Sequence, residues 1–160
     1  MIESETEKGF ARMKIAIASD HRGYDAKKKL LPVLTKAGHE ISDFGTDSAS
    51  SCDYVDFAAP AARAVARGEA EVAILLEGSG IGMSITANKI HGIRAALVHD
   101  EITARRAREH HHCNVLCLGT ELLSEEQIRN IVQIFLSSSM LQNDRHLARI
   151  AKVTKVEKEG

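Results

Sequence analysis

Glu77-Gly78-Ser79-Gly80-Ile81-Gly82 is the stretch of this chain best equipped for chemistry. An apolar run over residues 72–76 precedes it, and a helical pattern ending near residue 89 follows. That order of buried strand, glycine-rich turn and helix start can hold an anion. Glycines permit a tight bend and close approach, and the first helical N–H groups are unpaired. The first residue is at odds with that use: a carboxylate at the lip repels phosphate, so Glu77 reads as a group that moves protons. The turn is not a P-loop, because the Gly-Lys-Ser/Thr ending is absent, and Gly-x-Gly-x-Gly is not a dinucleotide fingerprint. The plainer alternative is a turn that only lets a helix pack on a sheet.

Two other groups of residues have chemical character. In His110-His111-His112-Cys113, neighbours on a helix point about 100° apart and cannot all converge on one ion. Neither a native metal site nor a cofactor is therefore expected. One catalytic histidine, one substrate contact and one surface residue fit the run better, although a histidine at a helix C-terminus is ordinarily a dipole partner. Arg145 and Arg149, at i and i+4, share a helix face and can reach one anion. Their alternative is a solvated basic face.

The elements that must position these residues alternate along the chain. Strands are expected over 14–18, 39–44, 71–76, 93–98 and 115–118. Helices are expected over 24–37, 55–67, from the glycine turn to about 89, over 100–110, from Ser124 to about 137, and from about 144. Gly38 and Gly68 are placed as stops, Ser124 with Gln127 as a capping box, and Pro32 as a bend or a shifted start in the first helix. This spacing predicts an α/β fold, a Rossmann-like three-layer sandwich with a five-stranded parallel sheet and helices on both faces. Ligands of such folds bind beyond the carboxyl ends of the strands, where strand order reverses. Asp20 and His21, Glu77, and Gly119-Thr120-Glu121 all leave strands at that edge. Residues 1–12, polar and without period, read as a flexible N-terminal extension, and 13–160 as a single domain closed by a C-terminal helix.

The chain of 160 residues suits one domain with a real core, and aromatics are only 4% of it, so the core is aliphatic. A net charge of -1 removes the electrostatic case for a nucleic-acid partner. No apolar stretch spans a bilayer, and without a signal-peptide hydrophobic region a cytoplasmic location is expected. Cys52, Cys113 and Cys117 lack zinc-ribbon spacing and read as free thiols.

Several segments together carry a resemblance: Ile15-Ala16-Ile17-Ala18-Ser19-Asp20-His21, Asp53-Tyr54-Val55-Asp56-Phe57-Ala58, and the glycine turn with Ala87-Asn88-Lys89. Gly92-Ile93-Arg94-Ala95, Arg108-Glu109-His110 with Asn114-Val115, and Arg145-His146 with Arg149 extend it over nearly the whole chain. In order and spacing the set resembles the ribose-5-phosphate isomerase B type, grouped with the galactose-6-phosphate isomerase subunits. The resemblance implies metal-free aldose–ketose isomerisation of a phosphorylated sugar, in a homodimer or dimer of dimers whose active sites cross the interface. It implies Glu77 as base where the family typically has cysteine, His110 as the acid, and Ser79 with the backbone of Gly78, Gly80, Ile81 and Gly82 around the sugar oxygens and the enediolate. Asp20 and Tyr54 would line the sugar chain, and His21, Arg145 and Arg149 would clamp the phosphate. His111 stands where asparagine is usual, and Glu121 where a phosphate-facing arginine is usual. Those departures leave a ribose 5-phosphate/ribulose 5-phosphate substrate open against a tetrose or hexose phosphate, and an isomerase against a non-catalytic sugar-phosphate binder.

The chemistry tolerates the change at residue 77. Isomerisation needs a base within reach of the proton beside a carbonyl and donors for the enediolate oxygens. A thiol titrates near about 8.5 and a glutamate near about 4.3, so Glu77 is ionised at neutral pH without activation.

Overall fold

Strands covered on both faces need no polar alternation, and the apolar runs of this chain build such a sheet. The computed structural model describes residues 11–160, so residues 1–10 of the expected extension lie outside the described residues. The chain runs β1 (Lys14–Ser19), α1 (Tyr24–Lys36), β2 (Glu40–Asp43), α2 (Tyr54–Ala66), β3 (Val72–Glu77) and α3 (Ile81–Asn88). It continues through β4 (Ala95–Leu97), α4 (Glu101–Glu109), β5 (Val115–Gly119), α5 (Glu125–Ser137) and α6 (Asp144–Glu159). The five strands form one parallel sheet in the order β2-β1-β3-β5-β4. From β1 the chain moves to β2 on one side, and from β3 it moves towards β4 on the other. The reversal therefore falls between β1 and β3, and it opens a crevice at their carboxyl ends.

The two faces are packed with different side chains. Ile15, Ile17, Ile74, Leu76, Leu116 and Leu118 face α1, α4 and α5, where Leu30, Ala104, Ile131 and Phe135 meet them. Ala16, Ala18, Ala73, Leu75, Val115 and Cys117 face α2 and α3, whose contribution is Ala58, Ala61, Ala62, Met83 and Ala87. Small residues on both sides of that interface bring α2 close to the sheet.

Local signals account for most element ends. Ser124 and Gln127 form the reciprocal capping box that starts α5. Gly38 and Gly68 follow α1 and α2 with φ of 92° and 75°, the left-handed stop that glycine takes without strain. Pro32 sits inside α1, whose start stays at Tyr24; Pro32 and Lys28, whose carbonyl loses its donor, are both exposed, so water can replace the missing bond. One expectation changes. β4 is shorter than the run 93–98, because the Arg94 N–H donates to Asn114 Oδ1 at 2.8 Å instead of joining the ladder. α6 runs helical through the charged end of the chain, and of its residues only His146 is buried.

Lys27 fixes the segment leading to the crevice. Its side chain is 2% exposed, and Nζ donates to Asp43 Oδ1 at 2.7 Å and to the Thr46 carbonyl at 2.5 Å. The Ser19 N–H donates to Gly45 O and the Thr46 N–H to Ser19 O, so the loop after β2 is strapped to the end of β1. Lys27→Met keeps the stem but strands a buried carbonyl. It lowers unfolding stability by about 2 kcal/mol in urea titration, and a loss below roughly 0.5 kcal/mol would show that water replaces the ammonium there.

Candidate active site

Glu77 is the last residue of β3, opposite Gly119 of β5, rather than the first residue of the turn. The strand register turns its side chain into the crevice, where the residue is only 8% exposed. Its Oε2 accepts the N–H of Met83, in the first turn of α3, at 3.0 Å. The helix N-terminus thus binds an anion, and the anion is the chain's own carboxylate. Burial raises the Glu77 pKa above its ordinary value, the N–H groups of Met83 and Gly82 pull against that, and the nearby Asp20 adds to the rise.

The glycines shape this turn. Gly80 caps α3 in the left-handed region at φ 77°, and a Cβ there would lie 2.6 Å from Leu97 Cδ1 and 2.9 Å from the Leu118 carbonyl carbon. Gly82 lies under the Tyr54 ring, with no room for a side chain between them. Gly80, Ile81 and Gly82 therefore build the wall and helix start behind Glu77. Ser79 Oγ accepts the Ile81 N–H at 3.2 Å and keeps its own proton to donate.

A cavity of about 330 Å³ lies in front of this turn, lined by Asp20, His21, Arg22, Cys52, Asp53, Tyr54, Glu77, Gly78, Ser79 and Glu121. Asp20, 4% exposed, accepts the N–H groups of Arg22 and Gly23 at 3.0 and 2.9 Å and so anchors the start of α1. That start presses on β3, since a Cβ on Gly23 would sit 2.1 Å from the Leu76 carbonyl oxygen. His21 Nδ1 accepts the Cys52 N–H at 3.3 Å, which leaves Nε2 as the ring's donor. Asp20, His21, Tyr54, Glu77, Gly78 and Ser79 are thus brought together.

His110, His111 and Arg149 line a different and larger cavity, of about 1050 Å³, between α6 and the segment that follows α3. His110 ends α4 and stacks on His146, ring centroids 4.5 Å apart. Desolvation, then the neighbouring His110, Arg145 and Arg149, hold His146 below the usual histidine range. Arg145 is exposed on α6, one turn before Arg149. Arg94 clamps the histidine run by donating to the carbonyls of His111 and His112 at 3.0 and 2.8 Å. His112 takes φ 48° and turns inward, its Nε2–H donating to Leu141 O at 2.7 Å. Among the described residues no group of three or more His, Cys, Asp or Glu is arranged to hold a metal ion, and no helix is long and apolar enough to cross a membrane.

The Ribose/Galactose Isomerase family profile matches residues 15–153. The chain belongs to that family. It is 37% identical over 144 residues to the ribose-5-phosphate isomerase B of Escherichia coli, covering 90% of this chain and 96% of that one. The Clostridium thermocellum ribose-5-phosphate isomerase B structure superposes with a TM-score of 0.89 at 41% identity, over 92% of this chain and 99% of that one. A Mycoplasma genitalium ribose-5-phosphate isomerase B with bound ribulose-5-phosphate gives a TM-score of 0.86 at 37% identity, over 92% and 97% of the two chains. This is a sugar-phosphate isomerase of the ribose/galactose isomerase family.

Within this family member, Arg22, Cys52 and Asp53 line the cavity although the sequence did not single them out as site residues. Asp53 is the N-cap residue of α2, yet its side chain makes no cap bond and so is free for the cavity. Cys52 carried a weak signal: its position in the Ser- and Asp-rich loop just ahead of the Asp53-Tyr54 motif.

The raised pKa of Glu77 sets the sign of a titration. The folded state holds this proton more tightly than the unfolded chain does. Its contribution to stability is therefore full below the unfolded pKa and fades as pH rises through the folded one. Carbonyl NMR of the folded protein shows one carboxyl with a midpoint above the ordinary 4.5, absent in Glu77→Gln; a midpoint at or below that value would mean the α3 N–H groups outweigh burial.

Proposed function

We propose that this protein catalyses aldose–ketose isomerisation of a phosphorylated sugar, of the ribose 5-phosphate/ribulose 5-phosphate type, with Glu77 as the base and His110 as the acid. The observation that carries this reading is Glu77: a buried carboxylate at the strand-order reversal, facing a cavity, with a basicity raised by burial. A base of raised pKa is better matched to removing a carbon-bound proton than an ordinary surface carboxylate. Membership of the family, and the relative whose structure contains ribulose-5-phosphate, support the proposed substrate class.

In this mechanism Glu77 takes the proton from the carbon beside the carbonyl and returns it one carbon over, through an enediolate. The Met83 N–H holds the carboxylate in place. The hydroxyl of Ser79 and the backbone of the turn ahead of Ile81 donate to the enediolate oxygens. Asp20 and Tyr54 bound the sugar, and His21 meets its phosphate. His110 protonates the ring oxygen to open the sugar, beside His111, and Arg145 with Arg149 complete the phosphate clamp.

His110 and Arg149 line a cavity other than that of Glu77. The reading therefore joins them across two copies of the chain, one giving the Glu77 turn and the other the His110 and α6 side. Val153 and Val156 of α6, 55% and 69% exposed, support a second copy against this helix.

Glu77→Gln keeps the size of the side chain and removes its basicity. Turnover, followed as proton exchange at carbon two in deuterated water across a panel of phosphorylated aldoses, falls about 100-fold or more with binding little changed. Activity within a few-fold of the parent on every substrate would overturn the assignment. Mixing Glu77→Gln with His110→Ala restores activity, because a mixed dimer holds one intact site; no recovery after demonstrated subunit exchange would place both residues in one chain's pocket.

A further inference from the structure

Among the described residues lining the Glu77 cavity Arg22 is the one permanent cation, and Asp20, Asp53, Glu77 and Glu121 supply carboxylates. A phosphate entering there meets a field of the wrong sign unless Arg22 answers it. Three backbone contacts fix where Arg22 and Glu121 stand. The Arg22 N–H donates to Asp20 Oδ1 at 3.0 Å, the Thr120 hydroxyl to the Arg22 carbonyl at 3.1 Å, and the Glu121 N–H to Gly78 O at 3.1 Å.

The side chains then meet over the glycine turn. Arg22 Nη1 donates to Glu121 Oε1 at 2.5 Å. The pair crosses directly above Gly78, where a Cβ would lie 2.9 Å from Arg22 Cδ and 3.1 Å from Glu121 Cδ. An exposed ion pair of this kind contributes little to stability, and its side chains are 58% and 54% exposed. Orientation is the larger effect. A guanidinium carries five N–H donors in a rigid fork, and Glu121 engages it from one side. The remaining donors stay at the mouth of the cavity, next in the chain to His21.

We propose that Arg22 is a phosphate-binding residue of this site, with Glu121 as the positioning residue that holds its guanidinium across Gly78. This deepens the isomerase reading and rests on it. The ligand is the phosphate monoester of the sugar substrate, met by His21 and Arg22 from the chain that carries Glu77. Arg22 balances the Glu121 charge and leaves two-pronged donors for the phosphate oxygens.

The test uses the intact protein, with inorganic phosphate as probe in calorimetry and the isomerisation assay beside it. Arg22→Gln weakens phosphate binding by roughly 10-fold or more, the loss of one charge-assisted contact, and raises KM for the phosphorylated sugar by a similar factor while kcat holds. Arg22→Lys recovers part of the affinity. In a Glu121→Gln background the Arg22→Gln penalty shrinks, because the guanidinium is no longer held in place. Phosphate affinity and KM within about twofold of the parent in Arg22→Gln would overturn the role and leave a surface ion pair. An undiminished penalty in the Glu121→Gln background would overturn the positioning by Glu121. Should the parent bind no phosphate and turn over no phosphorylated sugar, the isomerase reading itself falls, and this inference with it.

Discussion

A carboxylate buried at the end of a central strand must be held by something, and here the first turn of α3 holds it. The bond from Met83 to Glu77 ties β3, the glycine turn and α3 into one unit. Gly80 has to be left-handed for the helix to begin where its N–H groups face back at the strand, and Gly82 must stay bare for Tyr54 to cover it. The carbonyl of Glu77 is used as well, accepting the N–H of Thr120, so the turn after β5 is registered against the same residue. Backbone and side chain of one glutamate thus set the glycine turn, the start of α3 and the turn after β5 relative to one another.

That arrangement answers the tension in the sequence between an anion-binding turn and an acidic first residue. The helix start does bind an anion, and that anion is supplied from inside the chain. The Met83 N–H is therefore spoken for by Glu77 and the Ile81 N–H by Ser79 Oγ, which shifts the work of holding a substrate's oxygens to the Ser79 hydroxyl and the backbone before Ile81. Burial and helix N–H groups act on Glu77 in opposite directions, and the balance keeps it a stronger base than a surface carboxylate.

How much of this was legible depends on how far apart the partners lie. Apolar runs, glycine stops at Gly38 and Gly68 and the Ser124/Gln127 box are local signals, and they marked the elements within a few residues. The convergence of Asp20, His21, Glu77 and Glu121 on one edge followed from strand alternation alone. Bonds between distant positions left no local trace: Lys27 with Asp43 and Thr46, Arg22 with Glu121, and the Asn114 side chain that shortens β4. The separation of His110 from Glu77 into two cavities belongs to the same class, because order along a chain does not say which crevice a helix end faces.

The unequal faces of the sheet give the molecule two kinds of mutational tolerance. Against α1, α4 and α5, large aliphatic side chains interdigitate. Drift there works through cavities, graded in cost and open to repair by a neighbour's enlargement. Against α2, alanine meets alanine. An added methyl group there has nowhere to go and pushes a helix whose first residue, Tyr54, covers the glycine turn. Sequence variation among functional descendants of this chain should therefore collect on the first face, while the second stays small and nearly invariant.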